Sequence, residues 1–336
     1  MMEQLVKLLG KSPCTIATLA EKLKCSQRTV REHLTDLRLT GYLVERHGDK
    51  WSLSKTIRQK EKKINENIFM SEKDNTFTFG FIGDTHLGSK YERLDVLNML
   101  YDVFAIEGVT KVYHQGNWVD GECRLNKHDI HTHGIDAQCD YMVKHYPQRE
   151  GITTYAITGD DHEGWWAKDN GIDVGEVLSH KMQKAGRKDW VNTGYMEAYI
   201  PLVNVNSKKR KYLLSMHPGG GSAYAISYRP QKIVEAFGGG DKPSVLLIGH
   251  YHKMSYNLIR GVHTIQTGCT QDQGVFMRKK GLEAHVGGGI CKLSQDPKSG
   301  AIYRCRVDFQ HFYNKGYYNN RWGYSGPVTL PERSIN

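Results

Sequence analysis

The 336-residue chain lacks any apolar run approaching the roughly 20 residues needed to cross a bilayer. Its N-terminus carries charges where a secretory leader would be apolar, so neither a membrane span nor a signal peptide is expected. No two of its seven cysteines (Cys14, Cys25, Cys123, Cys139, Cys269, Cys291, Cys305) form a Cys-x-x-Cys pair. An odd, scattered set argues against a secreted disulfide framework and for reduced thiols in a cytoplasm. Internal repeats and low-complexity tracts are also missing. What is present is 39% hydrophobic and 24% charged residues, the balance of a globular protein with one large core and room for a small second domain. A net charge of +10 suits a polyanionic partner.

The first 54 residues read as helix, helix, short turn, helix and hairpin. Gln4–Leu9 is amphipathic and ends at Gly10. Thr15–Leu23 has apolar residues at helical spacing, and Lys24-Cys25 makes a tight exit. Ser26 offers an N-cap to a helix over 27–40, on which Val30, Leu34 and Leu37 point to a core, and Gly41 stops it. Residues 44–53 alternate around His47-Gly48-Asp49 as a hairpin does. This order resembles a winged helix-turn-helix domain. The resemblance implies that the third helix enters the DNA major groove, with Gln27, Arg28 and Arg31 facing the bases and Arg46 and Lys50 of the wing near phosphates. Residues 1–66 hold 14 Lys/Arg against 8 Asp/Glu, more than half of the net charge. Residues 55–75 are polar and read as a linker, partly helical around Ile57–Met70.

From Thr76 onward strand-like runs alternate with helical stretches, the pattern of a sheet covered by helices. The first strand, with aromatics on alternate positions at Phe77, Phe79 and Phe81, delivers Gly83-Asp84-Thr85-His86. A carboxylate and an imidazole just past a strand end can turn toward one point and suit a divalent metal. Four further strands deliver Gly116-Asn117-Trp118-Val119-Asp120, Asp160-Asp161-His162-Glu163, His217-Pro218-Gly219 and Gly249-His250-Tyr251-His252. The two glycine runs, 238–240 and 287–289, read as loops.

These five motifs, in this order, resemble the calcineurin-like metallophosphoesterase superfamily over about residues 76–270. The resemblance implies a four-layer α/β/β/α sandwich in a domain of residues 76–336, with two divalent ions, manganese first among them and iron, zinc or magnesium as substitutes. It places Asp84, His86, Asn117 and His252 on one ion and Asn117, Asp161, His217 and His250 on the other. His162 becomes the acid at the leaving oxygen, or the group that steadies the phosphoryl charge, and Asp120 orients its imidazole. The chain departs from the family in having Asn117 where a bridging Asp is usual and Asp161 where an Asn is usual. The exchange is reciprocal and keeps the carboxylate count; Asp160 is the alternative to Asp161.

The resulting expectation is a cytoplasmic, metal-dependent phosphoesterase acting on nucleic acid, a DNA nuclease in the first place, most similar to the superfamily's DNA repair exonucleases. A protein or nucleotide phosphatase and a DNA-binding regulator with an inactive catalytic domain are the alternatives. DNA is the expected partner, and a homo-oligomer is compatible with it. The polar loop of His128, Asp129, His131 and His133 reads as solvated. Tyr224, Tyr228 and Arg229 fit either base stacking and phosphate gripping or a structural helix face. The aromatic segment from Tyr313 to Tyr324 is left without a role.

Overall fold

The computed structural model describes residues 2–39, 44–53, 67–238 and 240–313. The N-terminal domain comprises α1 (Met2–Lys11), β1 (Cys14–Thr15), α2 (Ile16–Leu23), α3 (Gln27–Leu39), β2 (Val44–His47) and β3 (Lys50–Leu53). Both inner helices start on side-chain caps: Thr15 Oγ1 accepts the Thr18 N–H at 3.2 Å and Ser26 Oγ accepts the Thr29 N–H at 3.1 Å. Lys24, at φ 51°, closes α2 in the left-handed conformation. Val30, Leu34 and Leu37 are buried with Leu5, Leu9 and Leu19. The hairpin forms as read, and β1 adds a third strand in the order β1-β3-β2. Two residues are too few for any periodicity, which is why β1 escapes the sequence. The expected stop at Gly41 lies outside the described residues.

The large domain runs through β4 (Phe69–Met70), β5 (Thr76–Ile82), α4 (Leu94–Ile106), β6 (Lys111–His114), α5 (Ile135–His145), β7 (Thr153–Thr158), α6 (Glu163–Asn170), α7 (Val174–Lys184), β8 (Trp190–Tyr195), β9 (Glu197–Val203), β10 (Arg210–Met216), α8 (Tyr228–Ala236), β11 (Val245–Ile248), β12 (Met254–Ile259), β13 (Val262–Thr267), α9 (Val275–Lys279), β14 (Val286–Gln295) and β15 (Ile302–Phe312). The strands make two six-stranded sheets, ordered β15-β14-β5-β6-β7-β8 and β12-β13-β11-β10-β9-β4. β5 to β8 run parallel, as do β10, β11 and β13. Their carboxyl ends therefore gather the loops that carry the five motifs.

Alternation on β5 explains the layers. Phe77, Phe79 and Phe81 enter a core between the sheets with Tyr113, Leu213, Leu247 and Ile265. Ile82 belongs to the opposite face, packed with Leu97, Leu100 and Phe104 of α4, Met142 of α5 and Leu178 of α7. Beyond the second sheet, Val234 of α8 packs on Leu214, Leu246 and Ile248. The order is helices, sheet, sheet, helix, the four-layer sandwich expected.

Two readings are corrected. The linker does not extend to Asn75 and is not helical to Met70, because Phe69-Met70 pair with Leu202-Val203 of β9 and the Phe69 ring is buried between the sheets. Gly287-Gly288-Gly289 are not a loop but the start of β14, which lies between β5 and β15. A Cβ at Gly287 would sit 1.9 Å from the Gln310 carbonyl oxygen, and one at Gly289 2.6 Å from the Phe81 ring. Close approach of neighbours, not a turn, demands these glycines. β8, β12 and β13 and the short α6 also escape the sequence. All seven cysteines are free.

The small domain rests on the large one through the second half of α3. Thr35 Oγ1 donates to the Gly240 carbonyl at 3.1 Å, and Asp36 pairs with Arg210 at 3.0 Å and accepts the Tyr212 hydroxyl.

Phe79 is fully buried, edge-on to Phe69 and Tyr113. Phe79→Ala should therefore destabilise the large domain by about 3–5 kcal/mol. A lowered urea midpoint at unchanged m would show it; an unmoved midpoint would refute the inter-sheet placement.

Candidate metal centre

Five loops converge at the carboxyl ends of β5, β6, β7, β10 and β11. Asp84 and His86 follow β5, Asn117 and Asp120 follow β6, Asp160, Asp161 and His162 follow β7, His217 follows β10, and His250 and His252 follow β11. Asp84, His86, Asn117, Asp120 and His217 are almost completely buried. Three groups of possible ligand atoms form among the described residues, Asp84/His86/His252, Asp160/Asp161/His217/His250 and His86/Asp120/His162, each within 4.8 Å, and the first two share no residue. In the first, His86 Nε2 and His252 Nε2 stand 3.1 Å apart, and both face Asp84 Oδ2, at 3.8 and 3.2 Å. In the second, Asp161 reaches His217 Nε2 at 3.1 Å and His250 Nδ1 at 3.4 Å. Asp160 turns toward Lys168 at 3.2 Å, so Asp161 is the better placed of the two.

The tautomers of three histidines follow from the hydrogen bonds behind them. His86 Nδ1–H donates to Asp120 Oδ1 at 2.9 Å, His217 Nδ1–H to the Gln115 carbonyl at 2.6 Å, and His250 Nε2–H to the Gly220 carbonyl at 2.6 Å. Each leaves its other nitrogen with a lone pair aimed into the cluster, the arrangement metal-binding imidazoles use. The lone pair of His86 Nε2 lies 3.1 Å from His252 Nε2 beside a buried carboxylate, a position for a proton on His252 or a cation among the three groups. With its mixture of imidazole and carboxylate, this donor set fits a divalent ion. Asn117 Oδ1 is buried without a partner while Nδ2 donates to Asp84 Oδ2 at 3.3 Å. A half-turn of the amide would offer the oxygen to an ion in the same volume.

Asp120 does more than the sequence suggests. Its carboxylate is nearer His86 than His162, at 2.9 against 3.5 Å, and its backbone carbonyl accepts from His162 Nδ1–H at 2.7 Å. Asn126, which no motif singles out, holds the other carboxylate oxygen at 3.0 Å. Glu163 stands in a motif but has no role by resemblance: its Oε1 accepts the N–H groups of Asn117 and Gly159, both at 2.8 Å, and clips the second and third loops together. A Cβ on Gly159 would lie 2.3 Å from Asn117 Oδ1, so only glycine fits there. The His128–His133 loop pairs with its surroundings, His131 with Glu92 and His133 with Glu122.

The backbone is strained where the ligands sit. His86, Asn117, His162, His250 and His252 all have φ between 47° and 73°, a region non-glycine residues avoid. Electrostatics are equally polarised. Burial opposes protonation of His86, His217 and His252, yet their aspartate partners, with Cys269 beside His252, outweigh it and raise each to about 9. Burial, and the His86 cation next to it, push His162 down to about 4. Burial raises Glu163 to about 8, while Asp84 and Asp161, despite burial, are held well below the usual carboxylate range by their histidines.

The residues expected to meet nucleic acid lie on the other domain. Gln27, Arg28, Arg31, Arg46 and Lys50 are exposed. Arg28 pairs with Glu32 at 3.2 Å, Arg46 donates to the Gly48 carbonyl and lies over Trp51, and Arg31 stands at the seam beside Gly240. No helix among the described residues is long and apolar enough to cross a membrane.

Residues 2–48 match the family model described as an HTH domain. No curated protein matches the chain. Among solved structures, similarity extends to an archaeal phosphodiesterase (14% identity, TM-score 0.34, 70% of this chain and 100% of that one). It extends also to Vps29 from Entamoeba histolytica complexed with zinc (11%, 0.32, 69% and 99%) and to a predicted phosphoesterase from Streptococcus pneumoniae (12%, 0.31, 70% and 98%). The layers and strand order themselves define a four-layer α/β/β/α sandwich behind an N-terminal helix-turn-helix domain.

In metal-free protein the raised histidines stabilise the fold fully below their unfolded value of 6.5 and lose that contribution as pH rises through about 9. Glu163 acts in the same direction up to about 8. The melting temperature of chelated protein should therefore fall between pH 6.5 and 9, each linked proton weighing about 1.4 kcal/mol per pH unit. Ions compete with those same protons, so stabilisation by added Mn²⁺ should grow over that window. A chelated protein whose melting temperature rises with pH there would contradict the imidazole assignments.

Proposed function

We propose that the chain is a metal-dependent phosphodiesterase acting on DNA, delivered to it by the helix-turn-helix domain. The observation that carries this reading is the convergence of two Asp/His clusters, with the tautomers of His86, His217 and His250 set by the hydrogen bonds behind them, beside a histidine that belongs to neither. Bound ions would supply an ionised water at neutral pH and positive charge against the phosphoryl oxygens. Asp84, His86 and His252 would hold one ion and Asp161, His217 and His250 the other, with Asn117 between them. His162 shares the cavity with the clusters, and its Nδ1 is committed to the Asp120 carbonyl, so Nε2 is the nitrogen available to substrate. The free protein keeps His162 neutral at pH 7. The charge of a bound phosphoester favours its protonated form, which can then deliver a proton to the leaving oxygen.

His162→Ala should lower kcat on a small phosphodiester about 10²–10⁴-fold in Mn²⁺ while metal content, read by elemental analysis, stays that of wild type. The double variant His86→Ala/His252→Ala should lose both metal and turnover. Unchanged turnover in His162→Ala would remove that residue from the chemistry. Faster release of phosphate from a nucleotide monoester than cleavage of DNA would favour a phosphatase.

The DNA-directed half of the reading is tested separately. Arg28→Glu with Arg31→Glu should weaken duplex binding and flatten its salt dependence by roughly 0.9 in log–log slope for each phosphate no longer neutralised. Turnover of the small diester should be unaffected. A salt slope equal to that of wild type would take α3 out of DNA binding.

A further inference from the structure

The cavity above the two clusters encloses about 650 Å³, and much of its wall is apolar. Leu125, Trp165, Val275, Phe276, Met277 and Leu282 all line it. Leu125 is 87% exposed, Phe276 61% and Val275 50%. A phosphate group has no use for such a wall. Large apolar side chains left in water around a charged floor are the mark of a surface completed by a ligand. The same wall carries Lys280 into the cavity, next to Arg278 and Lys279 of α9, so the ligand is anionic as well as apolar. Ser222 and Tyr251 line both this cavity and a neighbouring cleft of about 270 Å³, which holds Arg229, Lys253 and the fully exposed Tyr224. The apolar lining and the clusters thus border one cavity, and the cleft with Arg229, Lys253 and its partner Glu283 adjoins it at Ser222 and Tyr251.

A flat apolar group joined to phosphates on either side is a nucleotide within a strand. Its base can lie against Phe276 and Leu125 only when its face is free, because in a duplex both faces are covered by neighbouring base pairs. We infer that Leu125, Val275 and Phe276 form a base-binding bay that takes an unpaired nucleotide beside the scissile phosphodiester, so that the protein acts on single-stranded or frayed DNA. The inference rests on the phosphodiesterase reading and names the substrate form for that site. The cationic side chains of Lys280 and Arg229 match the backbone charge of the flanking nucleotides, and stacking on an aromatic ring needs no particular base.

The test uses the full chain and a single-stranded hexanucleotide carrying 2-aminopurine, with chelator present so that the strand stays intact. Emission of the labelled base reports stacking in the bay and not docking of a duplex on the helix-turn-helix domain. Wild type should quench it; Phe276→Ala should weaken the apparent affinity about 5- to 50-fold, and Phe276→Trp should restore it. The metal content of both variants, measured without chelator, should equal that of wild type. The same base paired inside a hairpin should show no quenching. Equal affinity in wild type and Phe276→Ala, or equal quenching in strand and hairpin, overturns the bay. So does a free 2-aminopurine nucleotide that binds as tightly as the strand, since the site would then belong to mononucleotides. Cleavage of DNA by wild type in Mn²⁺ is scored separately. Its absence alongside Phe276-dependent quenching overturns the phosphodiesterase reading and leaves the bay standing, whereas cleavage without Phe276-dependent quenching does the reverse.

Discussion

Asp84 is a carboxylate with no exposure to solvent, and the loops of the large domain are arranged to make its burial tolerable. An ion of this kind costs several kcal/mol to desolvate unless charge and hydrogen bonds surround it. Here the His250 N–H donates to Oδ1 at 2.9 Å, Asn117 donates to Oδ2, and the imidazoles of His86 and His252 face the same oxygen. Loops after β5, β6 and β11 are tied to a single group, and the two sheets are thereby held together at their carboxyl ends. The Asp/His clusters and the closure of the sandwich are one problem with one solution.

That solution is unfavourable locally. Five non-glycine residues of the centre occupy left-handed backbone conformations, each costing of order 1–3 kcal/mol. They persist because the strands that deliver them are locked in a dense aromatic core, where Phe69, Phe77, Phe79 and Tyr113 pack around one another. Glu163 adds a tie that no metal is needed to make, accepting two backbone donors from neighbouring loops. The rigid interior carries the strain and holds these side chains in their clusters.

The two domains meet at a strand that also serves the centre. β10 carries Arg210 and Tyr212 toward Asp36 of α3 at one end and delivers His217 at the other. The first half of α3 keeps Gln27 and Arg28 exposed while Thr35 and Asp36 are engaged with the large domain. The exposed first half of α3 is thus oriented by its own second half.

Much of this is legible in the residues alone. Alternation of Phe77, Phe79 and Phe81 marks a strand because the pleat has a period of two, and Asp84-Thr85-His86 marks its end because polar ligands must leave the core with the loop. The capped helices of the first domain declare themselves through Thr15, Ser26 and the spacing of Val30, Leu34 and Leu37. Tertiary structure decided what depends on partners far along the chain. Gly287–Gly289 look like a loop until β5 and β15 close around them, and Phe69 looks like linker until the sheets enclose it. That Asp120 bonds His86, that Asp161 pairs with His217 and His250 while Asp160 also reaches Lys168, and that Leu125 and Phe276, 151 residues apart, share a cavity are facts of side-chain direction. Local sequence sets the period and the ends of an element, but the bonds that orient a buried ligand form only when distant loops are packed together.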